Sequence, residues 1–459
     1  MLHRVVNRFR SACARIVQAL ALLTVVGHFV RAVPAGAQTP VPDLRAGLVD
    51  TVRLSLDNAR ARALAANPDL LAARLDTAIA RGWLRQAGVL RFNPSADALT
   101  GGEGLELGLS QEIEVFGQRG LRIAAERAGL ARASAAVANE TRITLGQVDR
   151  SFFGLVAATQ RRNLAREVLA LNERLAEIAA RQLAEGEISR LGFNLSVVEL
   201  GRARALELAR RREQQDAEVL LSRLIGLSPT TTPIPVLDET TGRPAIDSAM
   251  GSGRGAADLS PEPVPGLDVD SLTALALVRR PDLRATLAAV RNAEAMVKLS
   301  GREALPNLIA RGVLEPAASG VGTTVRPGLG LTLPIFNRNQ GQTAALRAAA
   351  RQAEFTRQAL VARVRAEVST AVAAYRAAAA EVVVLESTVL VPARQNRALV
   401  EIAYREGKVG IADLLLIQNQ AIDAELDYWA AWLAGREALA TLAEATGQNI
   451  TGILQPPRP

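Results

Sequence analysis

Cysteine and histidine are nearly missing from this chain of 459 residues, which holds one Cys and two His. All three (His3, Cys13 and His28) lie before Ala37, and the thioethers beyond it are Met250 and Met296. After Ala37 the sequence therefore excludes disulfides, thiol nucleophiles, Ser-His triads and zinc sites built on His or Cys. No metal or cofactor site is expected, and only carboxylate chemistry remains open to an enzyme. Lysine is almost absent too, with Lys298 and Lys408 among 54 basic residues, and aromatics make up 3%. No long hydrophobic run follows Ala37. The longest uncharged stretch, Leu224 to Leu237, has 14 residues and is broken by Pro229, Pro233 and Pro235. A membrane-crossing helix needs roughly 20 apolar residues, so none is expected there.

What is present begins with a targeting pattern. Arg4, Arg8, Arg10 and Arg15 flank or precede an apolar core from Ile16 to Val26, and Ala35-Gly36-Ala37 supplies small residues for cleavage. This layout predicts a secretory signal peptide over residues 1–37. Cys13 stands before the apolar core, which disfavours cleavage of the lipoprotein type. The formal charge of +8 includes five Arg of this segment, so the remainder carries about +3 and gives no ground for a nucleic-acid partner. Apolar residues make up 49% of the chain, which argues for a sizeable buried surface.

Two regions resemble each other at an offset of a little over 210 residues. Asn67-Pro68-Asp69-Leu70 matches Arg280-Pro281-Asp282-Leu283. Leu107-Gly108-Leu109-Ser110 leading to Val115-Phe116-Gly117 matches Leu329-Gly330-Leu331-Thr332 leading to Ile335-Phe336-Asn337. Ala184-Glu185-Gly186 matches Arg405-Glu406-Gly407. Three landmarks in one order predict an internal duplication. In each half a very long helical pattern precedes the last landmark. From Arg119 to Ala184 there is no proline, and Leu164, Val168, Leu171, Leu175 and Ile178 are spaced by three and four. From Arg338 to Glu406 the same spacing runs through Val361, Val364, Val368, Ala371, Tyr375, Ala378, Val382, Leu385 and Val389, with a kink expected at Pro392. Return helices over Ser189–Ile225 and Gly410–Thr446 turn each half into an antiparallel helical hairpin. At about 1.5 Å per residue each rod is roughly 100 Å long.

Period-two patterns occupy the segments before the rods. Leu105, Leu107, Leu109, Ile113 and Val115 alternate with Glu106, Gly108, Ser110, Glu112 and Glu114. Leu329, Leu331, Leu333 and Ile335 alternate with Gly328, Gly330, Thr332 and Pro334. With partners near Pro94–Leu99 and Leu308–Leu314 they predict two strand hairpins. Four strands are fewer than the eight of the smallest closed barrels, and strands in lipid cannot keep an open edge. A barrel must then be shared between chains, and three chains give twelve strands.

The expected organisation is a signal peptide at 1–37 and a first repeat at 38–226, with a strand hairpin near 94–115 and a helical hairpin over 119–225. A Pro/Gly-rich linker at 227–267 follows. The second repeat spans 268–448, with a strand hairpin near 308–335 and a helical hairpin over 338–446, and an irregular tail covers 449–459. The fold class is mainly α with a small β part.

This arrangement resembles the TolC-type outer-membrane efflux family over nearly all of residues 50–450. The motifs Gln111-Glu112-Ile113-Glu114-Val115-Phe116-Gly117-Gln118-Arg119 and Leu333-Pro334-Ile335-Phe336-Asn337-Arg338-Asn339-Gln340-Gly341 are most similar to its cobalt–zinc–cadmium cation-efflux branch. The resemblance implies a homotrimer whose twelve-stranded barrel sits in the outer membrane of a Gram-negative bacterium. Its long hairpins form a periplasmic helical barrel that closes like an iris. It implies a passive exit duct, not an enzyme, that works with a periplasmic adaptor (a membrane fusion protein) and an inner-membrane pump of the resistance–nodulation–division type. Divalent metal cations are the substrates that the branch suggests.

The same resemblance places working residues at the helical tips. Gly186, Arg190 and Leu191 in one turn, and Gly407, Lys408, Val409 and Gly410 in the other, are expected adaptor contacts. Turn glycines equally suit a plain hairpin loop. Tyr404 and Asp413 match a gate tyrosine and an entrance aspartate, although Asp413 also suits a helix N-terminus. Val409 stands where some relatives carry a gate-bonding Arg, and Leu416 where they carry a second entrance aspartate. Two other readings stay open: a periplasmic adaptor or structural coiled-coil protein without a pore, and an exported carboxylate-based hydrolase.

Overall fold

The computed structural model describes residues 50–101, 104–228, 231–236, 268–316 and 323–449. The expected signal peptide, most of the linker and nearly all of the tail lie outside them. The first half runs β1 (Asp50–Leu54), α1 (Leu56–Ala66), α2 (Pro68–Ala87), β2 (Ser95–Gly101), β3 (Gly104–Ile113), α3 (Gln118–Ala184), α4 (Arg190–Leu224) and β4 (Thr231–Pro235). The second runs α5 (Val269–Arg279), α6 (Pro281–Glu303), β5 (Leu308–Pro316), β6 (Thr323–Leu331) and α7 (Gln340–Val384). A π-helical segment (Leu385–Leu390), α8 (Val391–Arg405) and α9 (Ile411–Thr446) complete it. From α1 and from α5 onward the two halves repeat one order: two short helices, two strands and a long helical hairpin.

The start of each half is fixed by the residue before its Pro-Asp-Leu. Asn67 caps α2, taking the Leu70 amide at 2.9 Å while its own amide donates to the Leu224 carbonyl at 2.9 Å. Arg280 occupies the matching place before α6 and donates to the Ala445 carbonyl at 3.2 Å. Each proline falls at the first helical position, where a missing N–H costs nothing. Both caps thus dock a short helix on the last turn of a long one.

Strands β2, β3, β5 and β6 form one antiparallel sheet in that order. The register puts Ala96, Ala98, Leu107, Leu109, Ala310, Leu314, Val325, Leu329 and Leu331 on one face. The other carries Ser95, Asp97, Glu106, Ser110, Arg311 and Thr324. On the polar face Arg311 reaches over Gly108 to Asp97 at 2.9 Å, and a Cβ at Gly108 would stand 2.6 Å from the Asp97 carboxylate. Glycine is required there by space. On the apolar face Leu107, Leu109, Leu329 and Leu331 are all exposed. The strands stop earlier than the alternation in the sequence. Val115 lies past the end of β3, and β6 ends before Leu333 and Ile335, where Pro334 lacks an amide to donate and Ile335 bonds back to Leu333 at 3.0 Å.

Beneath the sheet the helices pack in the same lateral order, α2 on α3, α3 on α6 and α6 on α7. Further from the sheet α3 packs with α4 and α9, and α9 with α8. The main core joins the halves through Phe152 and Phe153 on α3 and Tyr428, Trp429 and Trp432 on α9. Phe153 meets Trp432 edge-on, with ring centroids 5.9 Å apart, and Arg436 lies over both rings at 5.7 and 5.3 Å. An ion network crosses the same level. Arg280 pairs with Asp282 at 2.6 Å and Glu367 at 2.5 Å, and Arg150 with Glu444 at 2.8 Å.

Three expectations need correction. Residues 231–235, placed in the irregular linker, form β4 and pair in parallel with β1; its prolines fit an edge position. The second rod is not one α-helix: the π-helical segment stands just before Pro392, where the proline ring displaces the backbone bond to residue 388. One helical span after Ala37 is also long and apolar enough to cross a membrane, since Gln340–Arg405 includes an 18-residue stretch of mean hydropathy 1.5. Within that span Val364, Val368, Ala371, Tyr375 and Val382 are buried in the core shared with α9 and α5. The alanines that raise its hydropathy let helices approach.

Candidate functional site

The two helical tips have the same construction. After α3 the Gly186 backbone turns left-handed at φ 78°, and the Glu187 amide bonds to the Gln182 carbonyl at 2.8 Å. After α8 Gly407 does the same at φ 71°, and Lys408 bonds to Ala403 at 2.9 Å. This is the glycine-terminated end in which amides beyond the turn satisfy the last free carbonyls. The return helices start differently. Ser189 caps α4 by accepting the Gly192 amide at 3.2 Å. Gly410 has no side chain to cap α9, so only the Asp413 half of a capping box forms, its carboxylate accepting the Gly410 amide at 3.4 Å. The tips lie side by side: a Cβ at Gly192 would stand 3.8 Å from the Ile411 side chain.

The sequence-predicted residues separate into exposed and inner groups. Gly186, Arg190, Gly407, Lys408 and Gly410 are exposed, and Leu191 is 70% exposed. Arg190 lies over the Phe193 ring at 5.8 Å and Lys408 pairs with Glu406 at 2.6 Å. Val409 is half-buried. Tyr404 packs on the inner side, against the cluster of Leu175, Leu414 and Leu415, and burial pushes its hydroxyl above the ordinary tyrosine value. Asp413 is exposed on the first turn of α9. Among the described residues no hydrogen bond joins Tyr404 to Asp413 within one chain.

Behind Tyr404, α3 stands off from α8 and α9 and leaves a groove of about 610 Å³. Charged groups line it in both signs: Arg174 and Glu167 from α3, and Arg397, Glu401 and Arg405 from α8. Arg394 and Arg397 tie α8 to Glu425 on α9 at 3.1 and 4.0 Å, and no residue of α8 is fully buried. The hairpins are also linked by Asn419, which donates to Glu199 at 3.2 Å. Sequence reasoning passed over this groove. Its one visible signal was a change of seam, because Val168, Asn172, Leu175 and Ala179 are the buried positions while Ile178 turns outward.

Among the described residues no group of three or more His, Cys, Asp or Glu stands close enough to hold a metal ion. What the site offers is two short turns at the far end of long rods, with an exposed carboxylate on the first turn of α9 and a half-buried tyrosine behind it. Such parts can dock another protein and bias ion passage.

Comparisons with known proteins bear on the fold that carries these tips. Residues 272–448 match the family model described as outer membrane efflux protein. The cobalt-zinc-cadmium resistance protein CzcC of Cupriavidus metallidurans is 27% identical over 330 residues, covering 69% of this chain and 70% of that protein. Among solved structures, a membrane protein from Pseudomonas aeruginosa superposes with a TM-score of 0.68 at 20% identity, over 85% of this chain and 93% of that one. The open state of the MtrE outer membrane channel of Neisseria gonorrhoeae gives 0.66 at 20% identity, over 87% and 90%. At these identities the structural likeness carries the fold. Taken together, the second half of the chain matches the model of outer membrane efflux proteins, and the chain as a whole is similar to CzcC in sequence and to outer membrane channels in fold.

Proposed function

We propose that three copies of this chain form a passive exit duct through the outer membrane and into the periplasm, the last part of a tripartite efflux system. The observation that carries this reading is a four-stranded sheet with an apolar face and two unpaired edges, set at one end of rods whose longest helix has 67 residues. Strands of nine or ten residues are long enough to cross the hydrocarbon layer when tilted. Joining the open edge of β2 to that of β6 on the next copy removes every edge, and three copies give twelve strands. The polar face then lines the lumen and the apolar leucines meet lipid.

In this reading the tips face the inner membrane. Leu191, Arg190 and Val409, with the turn glycines and Lys408, meet the periplasmic adaptor, which connects the duct to a pump of the resistance–nodulation–division type. Three Asp413 carboxylates gather near the axis and attract cations. Tyr404 wedges the α8–α9 tip against α3. No step breaks or forms a covalent bond. The relationship to CzcC supports cobalt, zinc and cadmium ions as cargo, while selection rests with the pump and adaptor, because the described residues include no His or Cys.

Currents through the purified protein in planar bilayers test this. Small, cation-preferring conductance is expected, and Asp413→Ala is expected to weaken the preference. Unchanged selectivity in Asp413→Ala would keep the duct and discard the acidic entrance. Failure to insert, with the protein in the soluble periplasmic fraction, would favour an adaptor instead.

A further inference from the structure

Four donors line the groove behind Tyr404 without an acceptor to share. Gln418 on its floor is only 3% exposed, yet among the described residues its side-chain amide makes no hydrogen bond, and neither does the Tyr404 hydroxyl. Arg174 on the α3 wall and Arg405 on the α8 wall meet no carboxylate among the described residues. The Nε of each bonds to a carbonyl of its own helix, Ala170 and Glu401 respectively, at 3.2 Å. A buried amide left unpaired is costly, and a ligand that accepts from it removes the cost. The rest of the lining is largely apolar, with Leu164, Val168, Leu171 and Ile422.

Shape decides what fits. The groove follows α3 from Leu164 to Ile178, about 21 Å of helix. A volume of about 610 Å³ over that length leaves a mean section of about 30 Å². An α-helix with its side chains is about 10–12 Å across and needs roughly three times that section, so a partner helix is too thick and a single unbranched chain is not. Bilayer lipid does not reach the place either, because the groove begins about 70 Å along α3 from the sheet end of that helix. Charge sorts the two ends. Arg174, Tyr404 and Arg405 stand at the end next to the tips, whereas the exposed Glu167 lies about 10 Å back along α3. Glu401 is already met by Arg397 at 3.7 Å.

We propose that this groove binds a slender amphiphilic anion, a single long alkyl chain ending in a carboxylate. The head accepts from Tyr404 and Gln418 and is paired by Arg174 and Arg405, since two arginines and two neutral donors suit a carboxylate. The chain runs past Leu171 and Val168 to Leu164 and Ile422, a path of about 15 Å. Bound there, the ligand ties α8 to α3. The site lies within one chain and does not depend on ring closure.

Binding of radiolabelled dodecanoate to the full chain in nanodiscs of zwitterionic lipid, with empty discs subtracted, tests the proposal. Saturable binding is expected. Dodecanol and dodecyltrimethylammonium keep the chain and change the head, and should compete at least tenfold less well. Arg174→Gln and Arg405→Gln should each weaken binding about five- to tenfold. Ala170→Trp, which fills the groove from its exposed rim, should abolish it, while Arg212→Gln on an exposed stretch of α4 should not change it. A diazirine at the far end of the chain should label Leu164, Val168 or Ile422. Equal competition by dodecanol, or arginine variants that bind as the parent does, would overturn the proposal. Label confined to the strands would also overturn it, as the mark of a chain dissolved in the lipid. Each of these results leaves the duct standing. If the protein does not enter discs, the duct fails, and the same titration in solution still decides the groove.

Discussion

Glu386 is a half-buried carboxylate on the π-helical segment, without a hydrogen bond or ion pair among the described residues. Burial pushes its pKa above the usual glutamate value of 4.5, and the nearby Arg394 only partly offsets this. A carboxyl raised in the folded state is destabilising above its folded pKa, and the penalty disappears once the pH falls below its unfolded one. Glu386→Gln is therefore expected to melt higher than the parent at pH 7.5 and equally at pH 4, read by thermal unfolding in detergent. Tyr428 beside it is held protonated, its hydroxyl pushed up to about 12 by burial and by the Glu386 charge. At this scale the turn glycines and Asp413 were visible in the sequence, because reversal after a long helix demands glycine and a helix start favours an acid. The charges of the groove behind Tyr404 were not. Arg174, Arg397 and Glu401 look like any solvated face until the distance between α3 and α8 is known.

Between elements, the chain relies on a few buried polar anchors where a short helix meets a long one. Arg280, with its side chain 4% exposed, holds Asp282, Glu367 and the Ala445 carbonyl together. Replacing it by Met leaves the Asp282 and Glu367 carboxylates without this arginine, and a loss of about 3 kcal/mol is expected from chemical unfolding, the low end for a broken buried pair because Glu367 is 41% exposed. Burial alone would raise the Asp282 pKa, but the Arg280 hydrogen bonds and the charges of Arg280 and Arg142 outweigh it and hold the carboxyl below its ordinary 3.8. A depressed carboxyl stabilises above its unfolded pKa and stops doing so as the pH falls through its folded one. The parent should thus lose stability on acidification below about pH 4, and Arg280→Met should show a shallower loss there. Phe153 and Trp432 bind the halves by packing instead, and Trp432→Ala is expected to cost about 3–5 kcal/mol in the same assay. The long helices were legible as proline-free heptad spacing. The π-helical segment was legible only as a kink at Pro392, since nothing in a sequence of valines says which backbone bond will lengthen. Strand ends were overextended for the opposite reason: alternation continues to Ile335 although Pro334 has already ended the ladder.

At the scale of the molecule, one chain is an incomplete object. Among the described residues Leu107, Leu109, Leu314, Val325, Leu329 and Leu331 present an exposed apolar sheet face, the outer edges of β2 and β6 pair with no strand, and Leu71, Leu75, Ile79 and Trp83 of α2 lie exposed on one flank. Each defect is relieved by the same operation, a head-to-tail ring of identical copies. The sequence showed that four strands were too few for a barrel, because strands can be counted. It did not show which faces meet, because open strand edges gain meaning only when the helical row and the sheet are seen to share one order. The number of chains in the ring is therefore the quantity on which the whole account depends. Native mass spectrometry of the detergent-solubilised protein measures it directly. The account predicts a particle of three chains and nothing smaller at working concentrations; a stable monomer or a closed pair, with its strands still folded, would contradict it.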